Sequence, residues 1–513
     1  MLSRLSDSGE KWDFIIIGGG ATGLGTAIEG ASRGYKVLLL EQDDFGKGTS
    51  SRSTKLIHGG VRYLQQGNIS LVLEALKERG ILNRNAPHLV KNLPFIVPSY
   101  DWWEGPFYGI GLKLYDLLAG KEGFGESKIL SREKTLELIP TIETEGLRGG
   151  VIYHDGQFDD SRLVINMART AVEQGATVIN YVQAAGFIKH QGIIRGVIAR
   201  DLENEKEYQI EGRAIINACG VFSDQVRRLD DPQVKDIIAP SQGVHLILDK
   251  SFLPGGTAIM IPQTDDGRVL FAIPWHDCVV VGTTDTAVTK ISLEPVPRQE
   301  EINFLLEHTA RYLSKDPQRS DILSVFAGLR PLVAQGDTKN TSELSRDHTL
   351  HISSSGLLTI AGGKWTTFRK MAEDTIDHAI VLGDLPFNPS ATTSLNIHGY
   401  HKTPEIFKEL TDYGSDALEI SDLIKEKKAY KEKIHPDRPT RVGEIIWAVR
   451  MEMARCVEDF LARRTRNLLL NAKISIEMAP VVAEWMSAEL KTGRSWRKTQ
   501  VEHYRKIAQN YLA

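Results

Sequence analysis

An α/β architecture in three parts is predicted by three features of the 513-residue chain. Near the start, a short apolar run, a glycine-rich turn, a helical stretch and a second apolar run follow one another. That is the order of a strand–helix–strand unit in a parallel sheet. Residues 243–286 alternate apolar runs with Gly, Pro and Asp, the pattern of antiparallel strands. From Pro404 onward the pattern is largely helical, after a turn-rich stretch holding Pro386, Pro389 and Pro404. The expectation is a Rossmann-like domain, a second domain containing a β-sheet, and a helical C-terminal domain. The Rossmann-like part is drawn from residues 1–90, 151–240 and 326–390, the sheet-containing part from 91–150 and 241–325, and the helical part from 391–513.

The elements follow in order. Residues 14–17 are uniformly apolar, as in a strand buried on both faces. Residues 18–23 form the turn, a helix passes through Ala27 and Ala31 to end near Gly34, and residues 35–41 are the next strand. Helices are expected at 69–85, at 157–175 with Asp159 and Asp160 at its start, at 300–313 and at 366–382. Strands are expected at 177–181, 193–200, 214–219 and 357–363. Residues 100–145 resist assignment; their aromatic stretch, Trp102, Trp103, Pro106, Phe107 and Tyr108, reads either as a membrane-facing patch or as ordinary packing, and packing is the default expectation.

Composition bounds the function. Hydrophobic residues at 41% and charged residues at 25% are ordinary for a globular protein and argue against disorder. With 62 Lys and Arg against 66 Asp and Glu, the chain lacks the basic footprint of a general nucleic-acid binder. Cys219, Cys278 and Cys456 lie too far apart for a disulfide framework or a cysteine-based zinc site, which fits a reducing, cytoplasm-facing setting. No apolar run reaches the roughly 18–20 residues that cross a bilayer, so membrane contact is expected to be peripheral. His348 and His351 sit on a strand-like stretch at an odd spacing that sends them to opposite faces, and no metal site is expected.

Gly18, Gly20 and Gly23 fit G-x-G-x-x-G directly after the first strand. The first glycine allows the tight turn, the second lets backbone approach a pyrophosphate, and the third lets helix and strand pack closely. The helix N-terminus offers unpaired N–H groups to phosphate oxygens. Glu41, at the end of the second strand, is placed to accept hydrogen bonds from a ribose hydroxyl. This much leaves NAD and FAD equally open.

Three further strings narrow the reading: SSRSTKLIHGGVRYL at 50–64, AGLRPL at 327–332 and GGKWTTFRK at 362–370. Together with the opening motif they resemble FAD-dependent, quinone-linked glycerol-3-phosphate dehydrogenases, flavoproteins of the D-amino-acid-oxidase type, over nearly the whole chain. The resemblance implies FAD as cofactor. Gly18, Gly20, Gly23 and Glu41 would hold its ADP half, with Thr49, Ser50 and Ser51 near the pyrophosphate or flavin. Ala218 and Gly220 would form a small-residue turn over the cofactor. Gly362, Gly363, Lys364, Thr366 and Thr367 would form a second glycine turn at the flavin ring. The substrate implied is sn-glycerol 3-phosphate, a dianion that needs fixed cations. Arg62, Arg330, Arg346 and Lys364 are the candidates, with Tyr63 as a hydroxyl donor. Oxidation of its secondary alcohol needs a proton acceptor, for which a neutral histidine is suited. His58 and His245 are the two candidates and neither is preferred; Arg330 would stabilise developing alkoxide.

The product implied is dihydroxyacetone phosphate, with electrons passed to a membrane quinone from the cytoplasmic face of the inner membrane. Residues 441–513 carry 13 Lys and Arg against 8 Asp and Glu, and Lys491, Arg494, Arg497 and Lys498 surround Trp496. The resemblance raises this cluster as a contact for an anionic membrane surface; the sequence alone favours a solvated helical face. Three rival activities stay open: an oxygen-using glycerol-3-phosphate oxidase, an amine- or amino-acid-oxidising flavoenzyme, and a non-catalytic nucleotide-binding protein. A homodimer is also left open.

Overall fold

The computed structural model describes residues 2–5, 10–60, 64, 68–262, 264, 268–334 and 347–513. Two sheets organise them. The first runs in the order His348–Ile352, Leu357–Gly362, Glu207–Asn217, Trp12–Ile17, Val37–Leu40, Thr177–Ile179. Its neighbours are parallel except at the His348–Ile352 edge. Phe14, Ile15 and Ile16 are fully buried, as expected for a central strand with both faces covered. The helices Ala21–Ser32, Asp160–Glu173 and Phe368–Leu382 cover one face, packing Leu24, Met167 and Ile376 over Phe14 and Leu39. An antiparallel pair, Val182–His190 and Ile193–Asp201, extends the N-terminal end of Glu207–Asn217; the first of the pair is not apparent in the sequence pattern.

The second sheet has ten strands and is antiparallel apart from the pairing of Val90–Ser99 with Ala258–Ile261. Toward one edge, Ile238–Asp249 is flanked by Cys278–Gly282 and Ile322–Val333. One face packs on the C-terminal helices, where Phe95, Val280 and Phe326 share a core with Trp447, Phe460 and Tyr504. The other face is covered by the helix Gln299–Ala310 through Ile302 and Leu305.

Two expectations need correction. The divisions at 150, 240 and 325 fall inside strands Gly149–Phe158, Ile238–Asp249 and Ile322–Val333, and Leu56–Ile57 belongs to the second sheet. The aromatic stretch packs inward only at Tyr108, which lies against the core: Trp102 is 77% and Phe107 55% exposed, before and on the helix Glu104–Ala119.

Candidate active site

The strand ends of the first sheet and the turn at Gly18 enclose a cavity of about 440 Å³. Its floor is the G-x-G-x-x-G turn. A Cβ on Gly23 would lie 1.8 Å from the Gly18 carbonyl oxygen, so the helix Ala21–Ser32 sits this close to the strand only with glycine there. Gly20 precedes the helix, and Ala21 and Thr22 at the helix start line the cavity with it. The Ser50 hydroxyl accepts the Ala21 amide at 2.9 Å and draws the following loop over the turn.

Glu41 lines the far end of the cavity. Its carboxylate accepts the Gly19 amide at 2.6 Å and the Asp43 amide at 2.8 Å. Burial pushes this carboxyl up to about 7 against those two bonds, which favour the charged form. A ribose hydroxyl is the kind of neutral donor that such a group accepts. Ala218 and Gly220 line the wall, with Cys219 between them.

The pair Gly362 and Gly363, with φ of 78° and 76°, turns the chain between the strand Leu357–Gly362 and the helical turn Trp365–Thr367. Beyond this turn lies a second chamber of about 200 Å³, and Thr49, Gly362, Gly363, Lys364 and Trp365 line both spaces. The second chamber is walled by Thr54, His58, His245, Arg330 and Thr366. His58 and His245 therefore meet, although 187 positions separate them in sequence.

The second sheet positions this wall. His245 and Arg330 lie on neighbouring antiparallel strands, opposite Phe326 and Ser241 respectively. The His245 ring stacks on Phe326 at 4.8 Å between centroids. Its Nε2 lies 3.0 Å from Thr54 Oγ1. Burial, with the charges of Lys55 and Arg330, holds the His245 imidazole well below its ordinary value, so it is neutral at pH 7. Arg330 donates to the Thr283 hydroxyl at 3.1 Å and the Thr284 carbonyl at 2.9 Å, and pairs with Asp285 at 3.4 Å.

Not every expected site residue faces these spaces. Ser51 is buried beneath the loop, and its carbonyl accepts Lys55 Nζ at 2.9 Å and Arg466 Nη2 at 2.8 Å. Thr367 is buried in the helical turn, and Gly23 serves packing rather than cavity lining. Arg62, Tyr63 and Arg346 lie outside the described residues. Among the described residues no cluster of three His, Cys, Asp or Glu side chains is placed to hold a metal ion.

Comparison with known proteins fits this geometry. The family described as "FAD dependent oxidoreductase" matches residues 13–369, and the "C-terminal domain of alpha-glycerophosphate oxidase" matches residues 357–500. The mitochondrial glycerol-3-phosphate dehydrogenase of Mus musculus is 38% identical over 96% of this chain and 72% of its own length. That of Homo sapiens is 38% identical over 97% and 73%. The chain belongs to the FAD-dependent glycerol-3-phosphate dehydrogenases.

A solved glycerol-3-phosphate dehydrogenase from Bacillus halodurans, complexed with FAD, superposes with a TM-score of 0.82 at 28% identity, covering 100% of this chain and 98% of that one. The L-α-glycerophosphate oxidase of Mycoplasma pneumoniae, at TM-score 0.58 and 18% identity over 76% of this chain, shares the fold. FAD is the cofactor of this dehydrogenase family member. The donor set here fits it: a glycine cradle with helix N–H groups, a ribose acceptor, and a long cavity bending at a second glycine turn.

Several residues of this dehydrogenase site carried no chemical signal in the sequence. Thr54 holds His245, Asp285 fixes Arg330, and Trp365 donates its indole N–H to the Ser50 carbonyl at 2.9 Å while lining both chambers. Asp160 does more than start a helix. It accepts the Ser53 amide at 3.0 Å and pairs with Lys55 at 2.6 Å and Arg466 at 3.0 Å.

Proposed function

We propose that this chain oxidises sn-glycerol 3-phosphate to dihydroxyacetone phosphate and passes the electrons to a membrane quinone. The observation that carries the reading is the joining of the two chambers at residues 362–365. A flavin-sized cavity opens there onto a pocket with a fixed guanidinium, a lysine and two histidines. When bound, FAD supplies the two-electron acceptor, taking hydride at ring N5.

The residues supply the rest. Arg330, its fork held by Thr283, Thr284 and Asp285, binds substrate oxygen atoms, and Lys364 adds a second cation at the ring turn. The neutral His245 imidazole takes the proton from the C2 hydroxyl, and His58 bounds the other side of the pocket. Pro331 and Leu332 line the second chamber and keep water from the reacting carbon. Placement at the cytoplasmic face of a membrane is part of this reading. No described helix is long and apolar enough to cross one, which supports a contact with the surface.

The test is an anaerobic titration of the purified flavoprotein with glycerol 3-phosphate, followed in the visible spectrum. Loss of the flavin band, restored by a water-soluble quinone analogue, is the expected result. A yellow protein that glycerol 3-phosphate does not bleach, or one that amines bleach instead, would overturn the substrate.

A further inference from the structure

The helix Glu104–Ala119 is apolar on two sides. Its inner side, with Leu112, Tyr115 and Ala119, is buried. Tyr115 accepts the Gly59 amide at 2.8 Å and donates to Asp155 at 2.8 Å, so this helix braces the turn that carries His58. Its outer side presents Trp103, Phe107, Ile110, Leu114 and Leu117, each between 43% and 76% exposed. Steps of four, three, four and three place these five on one face of a helix. The stripe is about 21 Å long at 1.5 Å per residue. Trp102 precedes it, and Ile129, 64% exposed, lies beside Gly109, where a Cβ would come within 3.1 Å of its side chain.

We infer that this face docks in the interfacial layer of a lipid bilayer, with the helix axis along the membrane surface. Three features favour lipid over protein as the occupant. The stripe, about 21 Å by 10 Å, offers roughly 200 Å², well short of the roughly 800 Å² per partner that a stable protein interface buries. Tryptophans lead the stripe, with Lys113, Lys121 and Lys128 exposed around it; lysine is depleted in protein interfaces but common beside helices that lie on membranes. The acids of the helix are turned to internal use. Glu104 accepts the Tyr100 amide at 2.7 Å and Asp116 the Ser127 amide at 2.7 Å, leaving Asp101 and Glu126 as the exposed acids nearby. The C-terminal cluster is a poorer candidate, because Trp496 packs toward the helical core. The inference rests on the membrane-acceptor reading and gives it a place: one helix separates the bilayer from the His58 turn.

The test is flotation of the full-length flavoprotein with vesicles of phosphatidylcholine and phosphatidylglycerol. Wild type is expected to float, in high salt as well as low. The triple variant Trp103→Gln, Phe107→Gln, Ile110→Gln is expected to lose at least about tenfold in bound fraction. Its flavin spectrum should be unchanged, and its reduction of a water-soluble dye by glycerol 3-phosphate should stay within about twofold. Val381→Gln, at a residue 79% exposed on Phe368–Leu382, should float like wild type. A second measurement is quenching of tryptophan fluorescence by brominated lipid, which Trp102→Phe with Trp103→Phe should reduce. The proposal fails if wild type stays unbound, if the triple variant floats like wild type, or if the face instead holds a dimer that the triple variant splits. Failure of dye reduction in wild type would overturn the proposed reaction and leave the vesicle result standing by itself.

Discussion

Thr54 Oγ1 lies 3.0 Å from His245 Nε2, linking the loop after the first cofactor turn to the strand Ile238–Asp249 of the second sheet. The bond fixes the imidazole from the substrate side while Phe326 holds its face. Thr54→Val removes the hydroxyl at constant volume. The rate of flavin reduction by glycerol 3-phosphate should fall by about 10- to 100-fold, with FAD retained, while Thr54→Ser stays within about threefold. Anaerobic stopped-flow reduction checks this. Equal rates for all three forms would remove Thr54 from the reaction.

His245 is held below its ordinary value by burial and by Lys55 and Arg330. The imidazole is therefore already neutral at pH values where a free histidine, near 6.5, begins to take up protons. The reduction rate should stay level as pH falls through the ordinary histidine range near 6.5 and decline only below that range. A half-maximal rate above pH 7 assigned to His245 by its loss in His245→Gln would contradict the structure.

Arg330 is held by Thr283, Thr284 and Asp285 among the described residues. Arg330→Lys keeps the charge but loses the paired geometry. We expect kcat/KM for glycerol 3-phosphate to drop about 100-fold or more, with Asp285→Asn giving a smaller loss in the same direction. Steady-state kinetics with a soluble dye decides it.

Gly23→Ala places a methyl group 1.8 Å from the Gly18 carbonyl oxygen. The helix must move off the strand, and the phosphate cradle opens with it. The variant should purify without flavin, or fail to accumulate, as flavin content per chain will show.

The loop between Glu41 and Ser51 is held by a buried ionic network. Arg463 and Arg464 both pair with Asp44 at 2.5 Å, and Lys47 pairs with Glu458 at 2.5 Å. Burial pushes the Asp44 and Glu458 carboxyls up, but the adjacent Arg463, Arg464 and Lys47 charges overcome it and hold both below the carboxylate range. Their contribution is thus present above the unfolded values of about 4 and is lost as pH falls through the lower folded values. Thermal melting should be level from pH 5 to 7 and fall steeply below about pH 4. Arg463→Met takes one cation from each of the buried carboxylates Asp44, Glu458 and Asp459 and should cost about 3–5 kcal/mol.

The parts of the molecule set by local pattern are legible in the sequence. The strand–turn–helix–strand unit from Trp12 to Leu40 needs only apolar runs, glycines and period, and it forms as expected. The glycine turn at 362 and 363 and the cations Arg330 and Lys364 stand in distinctive strings, and the structure brings them to one chamber. Thr54 was hidden because its partner lies 191 positions away, on the strand Ile238–Asp249. The exposure of Trp103 and Phe107 was hidden for another reason. Leu112 and Tyr115 make the opposite side of their helix equally apolar, so the period identifies two faces without saying which one meets the protein.

The network around Asp44 also has a consequence for how the protein is born. Asp44 and Arg464 are 420 positions apart, and the Ser51 carbonyl and Arg466 are 415 apart. At about 5–20 residues per second, the loop leaves the ribosome many seconds before the arginines that brace it are made. Until then the cofactor cradle lacks one of its walls. Nascent chains should therefore stay colourless, and flavin capture should be an event of the released polypeptide. Uptake of the yellow cofactor then reports that residues 463–466 have been made and docked.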